Sequence, residues 1–383
     1  MSLFPEPVKK YTSIVVLPLW AGLLMLPFGG VGNAVRITLA AGVCMVLWRL
    51  SRSETATTFS SSLAQKRSSL KTASASFAQY AYAPLTLACL AVLLVVLPAF
   101  LNDYYRDIMA LTGMYIILAL GLNIIVGQAG LLNLGYVAFY AIGAYTYAIL
   151  STAFGLSFWP GLVAGALSAA GFAVLVGVPT LRLRGDYFAI VTLGLGEITR
   201  IILNNWDDMT GGPNGISKIG RPVIAGHELH TTLAFYYLVL VIVIITVFAM
   251  HRLISSRIGR AWIAIREDER AAEAMGIDTF KLKLLAFVLG SAWAGLTGVV
   301  FAAKMAFVSP ESFTFSESVL ILCMVVLGGM GSIPGIILGA LLLITLPEVF
   351  RDFQDYRMLA FGAALVVMMV FRPQGLLGTM KMK

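Results

Sequence analysis

Polar side chains interrupt an otherwise apolar run at residues 121–145, and their spacing is typical of a break in a membrane helix. Asn123, Gln128 and Asn133 stand among several glycines. Backbone freed at such a break must be buried in protein or line a watery cavity, and transporters often aim half-helix ends at their substrate there. The three amides are therefore candidates for a translocation path. Alternatively, they satisfy backbone groups in a tight turn, and both interpretations hold if that turn also gates the path.

A second candidate is the pair Glu197 and Arg200, which lie three residues apart and so share one helix face. Ionisable residues at membrane depth are costly and are usually paired or turned toward a cavity. One interpretation is a proton relay along the translocation path. Both residues lie near the end of an apolar run, where long side chains can reach water. We therefore favour a structural ion pair at the mouth of the translocation path.

The segment 257–283 is the most charged part of the chain, with six basic and five acidic residues between apolar runs. Its apolar residues recur at spacings of three, four and seven, which predicts one or two short amphipathic helices. Gly276 is expected to stop a helix and Asp278 to cap the next one. A helical loop of this kind between membrane spans is typical of a docking site for another protein.

The sequence lacks the common motifs of nucleotide-binding and catalytic sites. It has no G-x-x-x-x-G-K-[ST] loop for ATP and no G-x-S-x-G nucleophile motif. The loop 204–232 carries acidic and histidine residues, but their spacing favours a partner surface or a cap over a metal site. We therefore expect no catalytic residue, no metal site and no cofactor on this chain, and no nucleic-acid partner.

The composition, 59% hydrophobic and 12% charged residues, predicts an all-α polytopic membrane protein in contact with lipid. We expect about 10–12 transmembrane helices, with broken or re-entrant helices near 127–135 and 328–335. GxxxG pairs at 161/165 and 335/339 predict close helix packing. The candidate spans are 12–28, 34–50, 83–101, 108–126, 134–153, 160–180, 187–203, 233–253, 282–303, 318–331, 335–349 and 357–371.

Lysine and arginine gather on one side of these spans, which predicts that both termini and the 257–283 loop are cytoplasmic. Half of residues 51–76 are Ser or Thr, a composition that cannot bury enough surface to fold alone. The predicted organisation is a two-span preface at 1–50, a cytoplasmic linker at 51–80, a transmembrane domain at 81–376 and a cytoplasmic tail at 377–383.

Several stretches together carry a family resemblance that covers most of residues 113–376. They are GRAWIAIREDERAAEAMGID, FKLKLLAFVLGSAWAGLTG, LNIIVGQAGLLNLGYVAFYAIGAY, LRLRGDYFAIVTLGLGEITRIILNN, TGGPNGI and RPQGL. They resemble the LivM-type permease subunits of branched-chain amino-acid ABC transporters. The resemblance implies a multi-pass protein of the bacterial inner membrane. Its implied partners are a second related permease, two cytosolic ATPases that hold ATP and Mg²⁺, and a periplasmic binding protein.

In this superfamily a cytosolic loop with an E-A-A-x-x-x-G pattern docks the ATPase. Here Arg270 stands where the first Glu is expected, with Glu269 just before it. The residues that the resemblance assigns to ATPase coupling are Arg266, Glu267, Asp268, Arg270, Ala271, Ala272, Glu273 and Gly276.

The implied function is import of leucine, isoleucine and valine, driven by ATP that the partner subunits hydrolyse. Two alternatives stay open. Permeases for urea, short amides or other amino acids resemble the same subgroup. An ion-coupled secondary transporter would instead use Glu197 and Arg200 as a relay.

Overall fold

The computed structural model describes most of the chain beyond residue 100. The described residues are 101–183, 185–224, 227–228 and 231–349, with Leu94, Val96, Pro98, Gly362 and Gly375. The predicted preface 1–50, linker 51–80, last span 357–371 and tail 377–383 lie outside these ranges, apart from Gly362, as does most of the span at 83–101.

The described part is almost entirely helical. The first half contains α1 (Asp103–Asn123), a π-helical turn (Ile124–Gln128), α2 (Tyr136–Phe154), α3 (Phe158–Thr180), α4 (Asp186–Asn205), α5 (Asp207–Thr210), a 3-10 turn (Gly212–Asn214) and the strands β1 (Ile216–Ser217), β2 (Val223–Ile224) and β3 (His227–Glu228). The second half contains α6 (Thr232–Ile254), α7 (Arg257–Glu267), α8 (Glu269–Ala274), α9 (Thr279–Met305), β4 (Phe307–Val308), a 3-10 turn (Pro310–Phe313), α10 (Phe315–Gly328) and α11 (Ile333–Val349).

Five helices in the described ranges are long and apolar enough to cross a membrane: α1 with its π-helical turn, α2, α3, α6 and α9. They coincide with predicted spans, so the prediction of an all-α polytopic membrane protein is confirmed. The 20-residue α4 forms at the predicted place but is not among these five. The 14 residues of α10 would cover only about 21 Å of the roughly 30 Å hydrocarbon core.

Helix α9 packs against α1, α2 and α3 at the centre of the bundle, and glycines allow the helices to approach closely. A Cβ on Gly143 of α2 would overlap the main chain of Gly295 in α9, and one on Gly295 would overlap Gly165 in α3. In the same way Gly335 of α11 abuts the main chain of Gly328 in α10. The close packing predicted around residues 165 and 335 is therefore confirmed, and it supplies the van der Waals contact that holds helices together in lipid.

The end of the bundle opposite the 257–283 segment is closed by short strands and polar contacts. Strand β1 pairs antiparallel with β4, Ile216 opposite Val308. The phenol of Tyr147 donates to the carbonyl of Gly220 at 2.8 Å. These contacts attach the loop after α4 to the ends of α2 and α9.

Candidate functional site

The 257–283 segment folds as two short helices, as the sequence predicted, and the structure shows a capped start on each. Ser256 begins α7, its hydroxyl accepting from the main-chain N–H of Gly259 at 3.3 Å. Asp268 begins α8, and one carboxylate oxygen accepts from the N–H groups of Arg270 and Ala271 at 2.9 and 3.1 Å. These side chains satisfy donors that a helix start leaves unpaired. The predicted coupling residue Asp268 therefore also fixes the corner between α7 and α8.

Gly276 and Asp278 take the roles that the sequence predicted. Gly276 has a φ of +84°, the left-handed conformation that follows many helix ends, and the N–H of Ile277 bonds back to the carbonyl of Ala272 at 3.1 Å. Asp278 caps α9 by accepting from the N–H of Lys281 at 3.1 Å. Hydrogen bonds from the side chain and then the backbone of Lys281 lower the pKa of Asp278.

The apolar face of α7 packs onto the chain's own membrane helices. Trp262 is fully buried and its indole N–H donates to the carbonyl of Leu282 at 2.7 Å. Ile265 is buried beside it. An ion pair between Lys283 and Glu269 at 2.6 Å joins α9 to α8. The segment is thus attached firmly to the start of α9, so a displacement of α7 and α8 would displace α9 as well.

The exposed surface of α8 and of the residues just after it carries four of the eight predicted coupling residues. Arg270, Ala271, Glu273 and Gly276 are exposed, and Met275, just before Gly276, is 83% exposed. The side chain of Ala272 faces its own chain and is 4% exposed. Docking of an ATPase on this surface stays a prediction.

Arg266 points the other way, into the first glycine break. One guanidinium nitrogen, Nη1, donates to the main-chain carbonyl of Gly127, and Nη2 pairs with Glu267 Oε1 at 2.9 Å. A Cβ on Gly130, whose φ is +73°, would lie 2.8 Å from Arg266 Cγ. The guanidinium of Arg266 therefore binds the break at Gly127, while the aliphatic carbons of its side chain cover Gly130.

The two predicted breaks lie against each other, although about 200 residues separate them in sequence. The main-chain N–H of Gly331, between α10 and α11, donates to Asn123 Oδ1 at 2.8 Å. Gln128 Nε2 donates to the carbonyl of Gly331 at 3.3 Å. Asn123 and Gln128 are 1% and 2% exposed. We call Asn123, Gly127, Gln128, Arg266 and Gly331 the gate cluster.

In the gate cluster the amides satisfy backbone groups of a broken helix, which is one of the two alternatives that the sequence left open. The first break also contains a π-helical turn, Ile124–Gln128, a feature often found at functional sites and hinges. Because Arg266 binds the carbonyl of Gly127 in this turn, the structure places one predicted coupling residue at the break that also holds two predicted path residues, Asn123 and Gln128. The charged segment and the first break are thus in direct contact.

Asn133 lies outside the gate cluster, at the start of α2. Its Oδ1 accepts from the N–H of Gly135 at 3.0 Å, and the side chain is fully buried. Side chains from other helices bind the neighbouring N–H groups: Thr192 Oγ1 accepts from Leu134 at 3.1 Å and Ser318 Oγ accepts from Val137 at 3.0 Å. Among the described residues Asn133 Nδ2 has no hydrogen-bond partner.

Glu197 and Arg200 form the predicted pair on α4. Arg200 Nη2 lies 2.9 Å from Glu197 Oε2, and each side chain is 34% exposed. The contact is local to one helix, and neither residue is part of the gate cluster. This geometry fits the structural pair that the sequence favoured, whereas a path role for the two residues stays a prediction.

The sequence interpretation missed a carboxylate inside the bundle. Glu317, in the first turn of α10, accepts a hydrogen bond at 2.7 Å from the phenol of Tyr115 in α1. One signal was available: an acidic residue stands at the start of the apolar run 315–328, and such residues at membrane depth are costly and usually functional. Its partner, Tyr115, is distant in sequence, so no local sequence pattern indicates their contact.

Comparisons with known proteins agree with this architecture. Residues 104–371 match the family described as branched-chain amino acid transport system / permease component. The chain is 49% identical over 316 residues to the high-affinity branched-chain amino acid transport system permease protein LivM of Escherichia coli K12, covering 76% of this chain and 74% of that one.

More distant relatives extend the comparison. Identity is 27% to the permease protein LivH of the same organism, over 73% of this chain and 96% of LivH. It is 25% to the probable LivM of Methanocaldococcus jannaschii, over 72% and 93% of the two chains. No solved structure matches. This chain belongs to the family of permease components of branched-chain amino acid transport systems.

Proposed function

We propose that this chain is a membrane-embedded permease subunit of an ATP-driven importer that moves branched-chain amino acids across the bacterial inner membrane. The family match, the name of the LivM relative and five membrane-spanning helices support the proposal. The observation that carries it is the contact between Arg266 and Gly127, which joins a charged helix at one end of the bundle to a gate between membrane helices.

The energy source in this proposal is external, because the sequence has no phosphate-binding loop. Two cytosolic ATPases would hold ATP and Mg²⁺ and dock on the exposed surface of α8, where Arg270, Glu273 and Met275 offer charge and apolar area. A periplasmic binding protein would deliver the amino acid. That relatives named LivM and LivH are both permeases supports a second, related permease as the partner in the membrane.

The proposed mechanism uses the firm attachment of α7 and α8. ATP binding closes the ATPase dimer, α7 moves with it, and Arg266 transmits the movement to the π-helical turn at Gly127. Asn123 and Gln128 then exchange their bonds to Gly331 for others, which opens or closes the path on the cytosolic side. Such coupling requires that the ATPase and the substrate each contact the two states differently.

The test is uptake and ATPase activity of the purified complex in lipid vesicles, measured across a panel of amino acids together with urea and acetamide. We expect leucine, isoleucine and valine to be taken up and to stimulate ATP hydrolysis when the binding protein is present. Stimulation by urea or acetamide alone would contradict the substrate class. Uptake that persists without the ATPases and collapses with the proton gradient would instead establish an ion-coupled transporter.

A further inference from the structure

The start of α2 is an unusual environment for a helix end because it is buried among other helices. Its main-chain N–H groups are the positive end of the helix dipole. The N–H of Val137 in its first turn is bound by Ser318, and the N–H groups of Leu134 and Gly135 just before the helix are bound by Thr192 and Asn133. Asn133 keeps a fully buried amide N–H₂ that no group in the described residues accepts. A buried donor without a partner is unfavourable unless a ligand supplies the acceptor.

A negative charge lies close to the same helix turn. Glu317 directly precedes Ser318, whose hydroxyl binds the N–H of Val137. Tyr115 binds one carboxylate oxygen of Glu317 at 2.7 Å, and Tyr140 of α2 lies beside both groups. Within the described ranges no lysine or arginine forms an ion pair with Glu317. A carboxylate at this depth is normally paired or turned toward a cavity.

Aromatic rings complete the surroundings of this carboxylate. The ring of Tyr140 lies 5.1 Å from that of Phe313 and 5.5 Å from that of Phe301, and Phe301 and Phe313 are 5.9 Å apart. Ring faces attract ammonium groups and also offer apolar surface to an aliphatic side chain. The start of α2 therefore gathers an unpaired amide donor, a carboxylate with no basic partner among the described residues, and an apolar wall.

We propose that this region, defined by Asn133, Glu317, Tyr115 and Tyr140, is a transient binding site for the free α-amino acid on its way through the permease. The α-ammonium group pairs with Glu317, which Tyr115 holds in position. The α-carboxylate accepts a hydrogen bond from Asn133 Nδ2. This site rests on the proposed function, since it takes the same substrate, but it adds that the permease itself recognises both charged ends of that substrate.

A purely structural role makes a different prediction. An acidic residue in the first turn of α10 would stabilise the helix dipole, and Asn133 would serve only as a turn residue. Neither role would distinguish an amino acid from an analogue that lacks one of its charges. Selectivity between such ligands therefore separates the two accounts.

The experiment measures equilibrium binding of radiolabelled leucine to the purified complex without its binding protein. Competitors are 4-methylpentanoate, which lacks the ammonium group, and 3-methylbutylamine, which lacks the carboxylate. For the unmodified complex we expect each analogue to compete about tenfold more weakly than leucine, because each loses a hydrogen bond to or from a charged group. Glu317→Gln should abolish the discrimination against 4-methylpentanoate, and Asn133→Leu the discrimination against 3-methylbutylamine.

Glu311→Gln is the matched control, because Glu311 is exposed in the 3-10 turn just before α10. It should bind leucine and both analogues as the unmodified complex does. Analogues that compete as well as leucine in the unmodified complex would overturn the proposal without any variant, as would absence of leucine binding. Unchanged selectivity in Glu317→Gln would also overturn it. Normal leucine uptake alongside any of these results would leave the proposed function intact, whereas an unmodified complex that imports no branched-chain amino acid would refute that function itself.

Discussion

Arg266→Ala is expected to uncouple ATP hydrolysis from transport. The substitution removes the only side chain in the described ranges that the structure shows reaching from α7 to the carbonyl of Gly127. It leaves the rest of α7 in place, because Trp262 and Ile265, which bury the helix against the bundle, are unchanged. The helix would still move with the ATPase, but the gate cluster would follow it less faithfully.

The size of the effect follows from the exposure of the bond. A hydrogen bond to a charged group contributes about 1.5–3 kcal/mol, and the Arg266 side chain is 33% exposed, so water weakens the interaction. We take the lower limit, about 1.5 kcal/mol, which is close to a tenfold change in an equilibrium constant. Uptake per ATP hydrolysed should therefore fall about tenfold. Arg266→Lys keeps the charge but cannot hold Gly127 and Glu267 together. Its uptake per ATP hydrolysed should therefore lie between that of the unmodified complex and that of Arg266→Ala.

The assay is leucine uptake and phosphate release measured on the same vesicles containing the complete complex. Arg260→Ala is the matched control: Arg260 is also on α7, but within the described part of the chain its guanidinium bonds only to the carbonyl of Ser255, at 3.0 Å and exposed to solvent. This control should keep the unmodified ratio of uptake to hydrolysis. A ratio within twofold of the unmodified value in Arg266→Ala would refute the connection between α7 and the gate cluster.

Three further predictions concern the end of α8, the packing of α9 and the cap at the start of α9. Gly276→Pro should uncouple uptake from hydrolysis in the same vesicle assay while membrane insertion stays normal, since proline cannot adopt the φ of +84° found there; normal coupling would contradict this. Gly295→Ala should destabilise the purified complex by about 1–3 kcal/mol through overpacking in α9, measured by thermal unfolding, whereas Gly194→Ala, which has open space, should not. Because the pKa of Asp278 is lowered by Lys281, its charge stabilises the fold above the ordinary pKa of aspartate, and this contribution is lost as the pH falls through the lowered value. The melting temperatures of the unmodified complex and Asp278→Asn should differ at neutral pH and converge in acid, and a difference independent of pH would contradict the assignment.

The features that sequence predicted well are local ones. Long apolar runs fix the membrane helices, and glycine with amides marks where a helix breaks. Capping at Asp278 and the helix stop at Gly276 depend on residues a few positions away, so their signals are complete within a short window. The charged segment was identifiable for the same reason.

The features that sequence missed depend on contacts across the bundle. Asn123 meets Gly331, and Tyr115 meets Glu317, over about 200 residues of intervening chain. The periodicity of apolar residues does not indicate which glycine-containing helix breaks will contact each other. The exposed face of α8 was also only partly predictable, because Ala272 lies on the same short helix as Arg270 yet turns toward its own chain. The partner of Arg266 was not predictable either, because it depends on where the first break lies relative to α7 in three dimensions.

The most direct test of the account measures the gate itself. Spin labels at Leu132→Cys and Met330→Cys, both exposed positions beside the two breaks, would report the distance between them after the native cysteines are replaced. We predict one distance distribution without nucleotide and a different one with bound ATP, and we predict that Arg266→Ala removes most of this difference. The same distribution in both nucleotide states of the otherwise unmodified complex would contradict the claim that ATP acts on this gate.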